Sequence, residues 1–329
     1  METISAYRLH TAPEGEIVNS GIYCEYGLIP KEVVGKRMEN NLEFTGRVAL
    51  ITGGNSGIGA AAAKRVAELG AHVVITGRRQ SEGRLLVDHI RHKSGSAAFI
   101  QADLSQPEQV KRIVPFALKT FGRLDYAFNN AGISGDNRLL TNQTEEIFDR
   151  VFAVNVKALF LLLQDEVKQM MAQGQGGSIV NTASVGGLLA FPTAGPYVAS
   201  KHAVLGLTKT AAIEYGRCGI RVNAVSPGAV RTEMLLDVFG NQEALDRMGA
   251  VHPLGRIGRP EEIADAVAWL FSDESSYYTG QSLTLDGGLT AQRPSVVQPT
   301  SDKLLQYAGD DKRRVGPAYF SMSDDLSCR

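Results

Sequence analysis

Cysteine is scarce in this chain of 329 residues: Cys24, Cys218 and Cys328 stand far apart, with no C-x-x-C spacing. That argues against both a disulfide framework and a cysteine zinc site. Six histidines are present, but no H-E-x-x-H pattern, and His89 and His92 fall in the charged stretch "VDHIRHKSG" that reads as a solvated helix end. No metal is expected. Charge of one sign is also lacking: the formal net charge is -1, so neither nucleic acid nor an anionic membrane surface is indicated as a partner. Long apolar runs are missing as well, the longest conspicuous one being Ala158 to Leu163, far short of the roughly eighteen residues a membrane span needs. The first twenty residues carry no basic patch followed by an apolar segment, which leaves a cytoplasmic address as the expectation. Internal repeats and low-complexity tracts are absent.

What is present from Arg47 onward is an alternation of short β-branched runs with longer helical patterns, the signature of βαβ units and a parallel sheet. The runs "VALIT", "HVVIT", "AAFIQA", "LDYAFN", "GSIVNTAS", "IRVNAVS" and "SLTLD" predict seven strands. Helices are predicted after Gly57, Glu82, Pro107, Thr144, Pro196 and Pro260. The expected fold class is α/β: a single doubly wound Rossmann-type domain over residues 45–290, a seven-stranded parallel sheet flanked by helices. Residues 1–44 have no clear period and read as an N-terminal extension, a disordered tail in the simplest reading, with Met38 an alternative start. Residues 291–329 are polar and read as a C-terminal tail.

Within the first βαβ unit, Gly53, Gly57 and Gly59 follow a strand and open an alanine-rich helix. Glycines there permit a tight turn and let backbone N–H groups approach a pyrophosphate, while the helix N-terminus contributes partial positive charge. This placement points to a dinucleotide. Farther on, "GPYVASKHAVLGLTK" sets Tyr197 four residues before Lys201 at the start of a helix, about one turn and ~6 Å apart, so the two share a face. A phenol has a reference pKa of about 10, and lowering it by ~3 units takes about 4 kcal/mol, for which a neighbouring ammonium has the right sign. Ser184, thirteen residues before Tyr197, ends the predicted fifth strand at the sheet edge where open α/β folds bind ligands.

The series "TGGNSGIG", "NNAG", "AVNV", "NTAS", "YVASK" and "SPGAVRT" resembles the short-chain dehydrogenase/reductase family, over about residues 45 to 290. The resemblance implies a catalytic set of Asn155, Ser184, Tyr197 and Lys201. Ser184 would position a carbonyl, Tyr197 would exchange a proton with it, Lys201 would also bond the nicotinamide ribose, and Asn155 would hold a water near the lysine. It further implies cofactor contacts at Gly53, Asn55, Ser56, Gly57, Ile58 and Gly59. Asp103 and Leu104 would lie near the adenine, Asn130, Ala131 and Gly132 beneath its ribose, and Pro227, Gly228, Val230 and Thr232 at the nicotinamide amide. The implied activity is an NAD(P)-dependent interconversion of a secondary alcohol and a ketone. Enoyl reductases of this group set Tyr and Lys farther apart, and sugar epimerases carry a larger C-terminal substrate domain.

Cofactor choice turns on "VVITGRR", where Gly77 stands in place of the acidic residue that would bind the ribose hydroxyls of NAD, followed by Arg78 and Arg79. NADP is favoured over NAD, with Arg78 the phosphate contact and Arg79 a solvated helix-entry charge. The glycine turn lacks the basic residue that many NADP-preferring relatives place there. The loop "VGGLLAFPTAGP" has no charged side chain, and "MLLDVF" after Thr232 is amphipathic like a mobile lid, so a mainly apolar substrate is expected. Met234, Leu235, Leu236 and Phe239 either face that substrate or pack on the protein body. A homotetramer is the leading assembly, a dimer the second. The alternative from another class is a non-catalytic dinucleotide sensor or scaffold whose tails recruit a partner.

Overall fold

A computed structural model describes residues 43–93, 95–239 and 241–292, apart from the side chains of residues 238, 239 and 242. Met38, Cys24, Cys328 and nearly all of the extension and tail lie outside the described residues. The elements run β1 (Val48–Thr52), α1 (Gly57–Glu68), β2 (His72–Gly77), α2 (Gln80–His92), β3 (Ser96–Gln101), α3 (Pro107–Val110), α4 (Ile113–Phe121) and β4 (Tyr126–Asn129). They continue with α5 (Glu145–Phe152), α6 (Ala158–Gln173), β5 (Gly177–Thr182), α7 (Gly195–Tyr215), β6 (Ile220–Pro227), α8 (Glu233–Phe239), α9 (Gln242–Ala250), α10 (Pro260–Phe271) and β7 (Ser282–Leu285).

All seven strands are parallel, in the order β3-β2-β1-β4-β5-β6-β7. The fold is thus the doubly wound sheet that the sequence predicts. Alternation along the strands sorts the core onto two faces. Val48 and Leu50 of β1 join a cluster built with Val110, Ile113, Leu162 and Val204, so α3, α4, α6 and α7 cover that face. Ala49 and Ile51 join Ala63, Val66, Leu86 and Val267, which places α1, α2 and α10 on the other. With both faces covered, β1 is buried at every position, which is why it reads as a continuous apolar run.

The local departures from expectation have physical causes. The helix after Thr144 is not continuous: Thr144 caps α5 by accepting from the Ile147 amide, and a π turn over Ala153–Lys157 interrupts the path to α6. The segment after Pro107 splits into α3 and α4, and α2 starts at Gln80, ahead of Glu82. Strand β5 stops at Thr182, so Ser184 lies beyond the strand and caps a short 3-10 turn, its Oγ accepting from the Gly186 amide at 3.0 Å. Helix α9 was not expected. Its Leu245 and Met248 bury a small separate core with Ile257, against which Leu235 packs.

The central strand pair is pinned at its amino end by Asp125, whose side chain is 4% exposed. Its carboxylate accepts from Arg47 Nη1 (2.9 Å), the Val48 amide (2.9 Å) and Arg123 Nε (2.7 Å). Burial pushes the Asp125 carboxyl up, but these donors outweigh that and hold it below its ordinary value. Asp125→Asn is expected to lower stability at neutral pH by about 2–3 kcal/mol, the scale of hydrogen bonds to a charged group. A depressed native pKa contributes stability above the unfolded value of about 3.9 and loses it as pH falls through the native one. Urea midpoints of wild type and variant should therefore converge only in strong acid.

Candidate active site

Six of the segments singled out in the sequence come to the carboxyl edge of the sheet. The glycine turn follows β1, Gly77 ends β2, Asp103 follows β3, Asn130 follows β4, Ser184 follows β5 and Pro227 ends β6. The order reverses between β1 and β4, which opens the crevice where such sheets bind ligands.

The glycine turn is a cradle of bare backbone. Gly53 and Gly57 hold positive φ of 60° and 52°. A Cβ on Gly59 would stand 2.3 Å from the Gly53 carbonyl oxygen, and one on Gly53 would stand 2.9 Å from Ala131 Cα. Above them begins the twelve-residue α1, with Ser56 at its N-cap making no side-chain capping bond. A helix N-terminus beside glycine positions that exclude side chains fits a pyrophosphate, so the residues present suit a dinucleotide. Asn55 does not reach outward: its Oδ1 lies 2.6 Å from where a Gly77 Cβ would be, and its Nδ2 donates to the Arg79 carbonyl at 3.2 Å. Asn55 therefore occupies the space of the missing acidic side chain. Ile58 packs beside the core cluster of α1.

Several of the other implied cofactor residues also serve the fold. The Asn130 amide donates to Thr52 Oγ1 (3.0 Å), and its Nδ2 to the Thr52 and Gly53 carbonyls (3.2 and 3.3 Å), which joins β4 to the glycine turn. The Ala131 amide shares Thr52 Oγ1 at 3.1 Å. Asp103 Oδ1 accepts from the Ser105 amide at 2.9 Å, and Leu104 is buried in the core. A Cβ on Gly228 would stand 2.9 Å from Asp286 Cα, while Val230 is buried and bridges to Gly258. Thr232 Cγ2 sits 3.0 Å from the Cβ position of Gly57, so the chain entering α8 passes over the glycine turn.

Asn155, Ser184, Tyr197 and Lys201 are brought together. The π turn adds a residue within the helical path and turns Asn155 inward, where it is 3% exposed. Its Oδ1 accepts from the Ile133 amide (2.8 Å), and its Nδ2 donates to the Ile133 carbonyl (2.9 Å) and Ser200 Oγ (3.0 Å). Lys201 is 4% exposed, and its Nζ donates to the Thr182 carbonyl at 2.7 Å. Gly132 is what lets the two approach: a Cβ there would lie 3.3 Å from Asn155 Oδ1 and 3.4 Å from Lys201 Nζ. Nearby, Thr52, Asn129, Asn155, Thr182 and Val204 line a cavity of about 10 Å³, close to the room one water occupies.

The electrostatics differ from the expectation of a phenol depressed by its lysine. Burial pushes the Tyr197 phenol up, and the nearby Ser184 hydroxyl pulls the other way. Lys201 Nζ lies 5.6 Å from the centre of the Tyr197 ring, turned to Thr182, and burial brings it down to about 8. Both groups lose hydration, so each is pressed toward its neutral form.

Sequence reasoning missed three features. Gln143 Nε2 faces three carbonyls, of Arg138 (2.8 Å), Asp136 (3.1 Å) and Thr193 (3.2 Å), and so clasps the loop after β4 to the loop before Tyr197. Glu166 is fully buried behind the site, with Oε2 accepting from Asn129 Nδ2 at 2.9 Å. Burial pushes it up to about 8 against the pull of Asn129, so it is mostly protonated at neutral pH. Arg79 is not simply solvated: its Nη2 meets Glu233 Oε2 at 2.7 Å. Gln143 and Glu166 lie in no motif, and for all three only long-range packing brings the contact into play.

Comparison with known proteins agrees with this geometry. A family profile described as Enoyl-(Acyl carrier protein) reductase matches residues 53–290. The A-factor type gamma-butyrolactone 1'-reductase (1S-forming) of Streptomyces virginiae is 47% identical over 248 residues, 75% of this chain and 96% of that protein. Cyclohexanol dehydrogenase of Acinetobacter sp. (strain SE19) is 43% identical over 254 residues, 76% of this chain and 97% of the other. The crystal structure of a short-chain type dehydrogenase/reductase from Mycobacterium marinum superposes with a TM-score of 0.72 at 36% identity, covering 77% of this chain and 99% of that one. With a cofactor cradle, a Ser-Tyr-Lys cluster and relatives matched along nearly their whole length, the chain belongs to the short-chain dehydrogenase/reductase family, whose oxidoreductases use NAD(P) on CH–OH and C=O groups.

Proposed function

We propose that one dehydrogenase/reductase domain, residues 45–290, interconverts a mainly apolar secondary alcohol and its ketone with NADP, Tyr197 serving as acid and base. The observation that carries this reading is the approach of Ser184 and Tyr197 to one point at the carboxyl edge of the sheet, where a Cβ on Gly186 would stand 3.5 Å from Ser184 Oγ and 3.3 Å from Tyr197 Cε1, beside the bare glycine cradle. NAD(P), when bound, supplies or accepts the hydride. It would be held by the backbone of Gly53 to Gly59, by Asp103, by Asn130 to Gly132 and by Pro227 to Thr232. In reduction, Ser184 Oγ donates to the carbonyl oxygen and Tyr197 Oη delivers its proton there. A phenol kept protonated by burial is suited to that role. In oxidation Tyr197 must take the proton, which the Lys201 charge favours by stabilising phenolate. Lys201 spends one bond on Thr182, leaving donors for a ribose hydroxyl. Asn155 fixes the loop at Ile133 and lines the water-sized cavity, a route for replacing the proton.

The substrate side supports the apolar reading. Leu140, Leu188, Leu189, Met234 and Leu236 stand exposed on the loops and helix that follow Gly132, Ser184 and Thr232. Leu235 does otherwise and packs inward. For the cofactor, Gly77 presents no carboxylate, and Arg78 is exposed with no partner for its guanidinium among the described residues. For assembly, Phe148, Phe160 and Ile213 expose apolar area on α5, α6 and α7, which suits a homotetramer. No described helix is long and apolar enough to cross a membrane, and a cytoplasmic address remains our reading. A sensor or scaffold has less to support it, since it needs none of the four side chains gathered at the site.

Tyr197→Phe should lower turnover at least ~10²-fold while the dissociation constant for the cofactor stays within about twofold; near-normal turnover would end the acid/base assignment. Arg78→Ala should weaken NADP about tenfold, the scale of a charge-assisted phosphate contact, and barely change NAD. Equal loss for both, measured by calorimetry, would rule out the phosphate role. Light scattering at micromolar concentration should report four subunits; a monomer would refute the assembly.

A further inference from the structure

The ribose edge of the cofactor crevice is not built from β2 alone. Arg79, the N-cap residue of α2, reaches 154 positions along the chain to pair with Glu233, the first residue of α8. It also lies 3.5 Å from Glu82, and the charge of Asp237, one turn along α8, acts on it as well. One cation is thus paired with two carboxylates, Glu82 of its own helix and Glu233 of α8, with the Asp237 charge of α8 adding to them. The surrounding contacts fix this arrangement. Asn55 of the glycine turn holds the Arg79 carbonyl, and Thr232, just before Glu233, lies over Gly57. Arg78, by contrast, spends only its carbonyl, on Gln101 Nε2 at 2.9 Å, and no described residue pairs with its guanidinium.

We propose that Glu233 is a cofactor-specificity residue: by pairing with Arg79 it withholds that guanidinium from the ribose edge and adds negative charge there, so that α8 tempers the affinity for a 2′-phosphate. The inference rests on the reading of this crevice as an NAD(P) site. Both partners are well exposed, at 44% and 59%, and an exposed ion pair is weak. A phosphate offers a guanidinium a bidentate, charge-assisted partner, so the two anions compete for Arg79. NAD presents only hydroxyls at that place and does not enter the competition. Glu233 therefore acts on one dinucleotide and not on the other, although it lies on no cofactor motif.

Calorimetric titration of Glu233→Gln with NADP and with NAD at low ionic strength tests this. The neutral isostere should tighten NADP at least about threefold and change NAD by less than about twofold, with the gain fading in high salt. Adding Arg79→Gln to the Glu233→Gln chain should cancel most of that gain. An equal shift for both dinucleotides would mean that Glu233 only steadies α8, and would overturn the proposal. So would a gain that survives loss of Arg79. The Arg78→Ala titration separates this from the parent reading. If Arg78→Ala does not discriminate and Glu233→Gln does, the phosphate role of Arg78 falls and that of Glu233 stands; the reverse outcome removes Glu233 and leaves Arg78.

Discussion

A lysine ammonium buried beneath the carboxyl edge of the sheet is the constraint on which the site depends. Lys201 is 4% exposed, and removing its charge from water is costly unless fixed dipoles replace the lost hydration. One replacement is the Thr182 carbonyl at the end of β5. The rest of the surroundings follow from making room for it. Gly132 leaves room where a side chain would crowd Asn155 and Lys201, and the π turn between α5 and α6 brings Asn155 alongside. Ser200, next to the lysine on α7, completes the contact with Asn155. Because a dry lysine is pressed toward neutrality, its pull on the Tyr197 phenol is weaker than the four-residue spacing suggests. A charged or polar ligand arriving in the crevice alters both groups at once.

The polar chemistry is supported from behind by buried groups that do not react. Asn129 donates to Glu166 and to Asn181 Oδ1 at 3.1 Å, and Asn181 Nδ2 donates to Thr208 Oγ1 at 3.0 Å. This chain ties α6, β4, β5 and α7 together below Asn155, Ser184 and Lys201. The network joins β4 to β5 and to the helices on that face, while Asn129 Oδ1 and Glu166 Oε1 are buried without a partner among the described residues. Gln143 does similar work for the loop after β4 and the loop before Tyr197, one amide nitrogen serving three carbonyls.

At the cofactor edge, charge is shared between elements that the chain makes far apart. Arg78 and Arg79 look equivalent in sequence, yet one is uncommitted among the described residues and the other is paired to α8. Specificity for a phosphate is a difference between affinities, so a competing carboxylate matters as much as the cation itself.

The sequence by itself determined the architecture and which side chains the crevice gathers. Strands buried on both faces must be apolar throughout, glycines are required where backbone approaches a pyrophosphate, and a four-residue spacing on a helix puts Tyr197 and Lys201 on one face; each is a local rule readable from neighbouring residues. Only the tertiary structure decided what each group senses. Ser184 lies past its strand, Asn155 turns inward through a π turn, Asn55 fills the space beside Gly77, Leu235 packs inward while Met234 and Leu236 stay exposed, and Glu233 claims Arg79. Burial and ion pairing depend on residues tens to more than a hundred positions away, and no local pattern in the chain records which of them will meet.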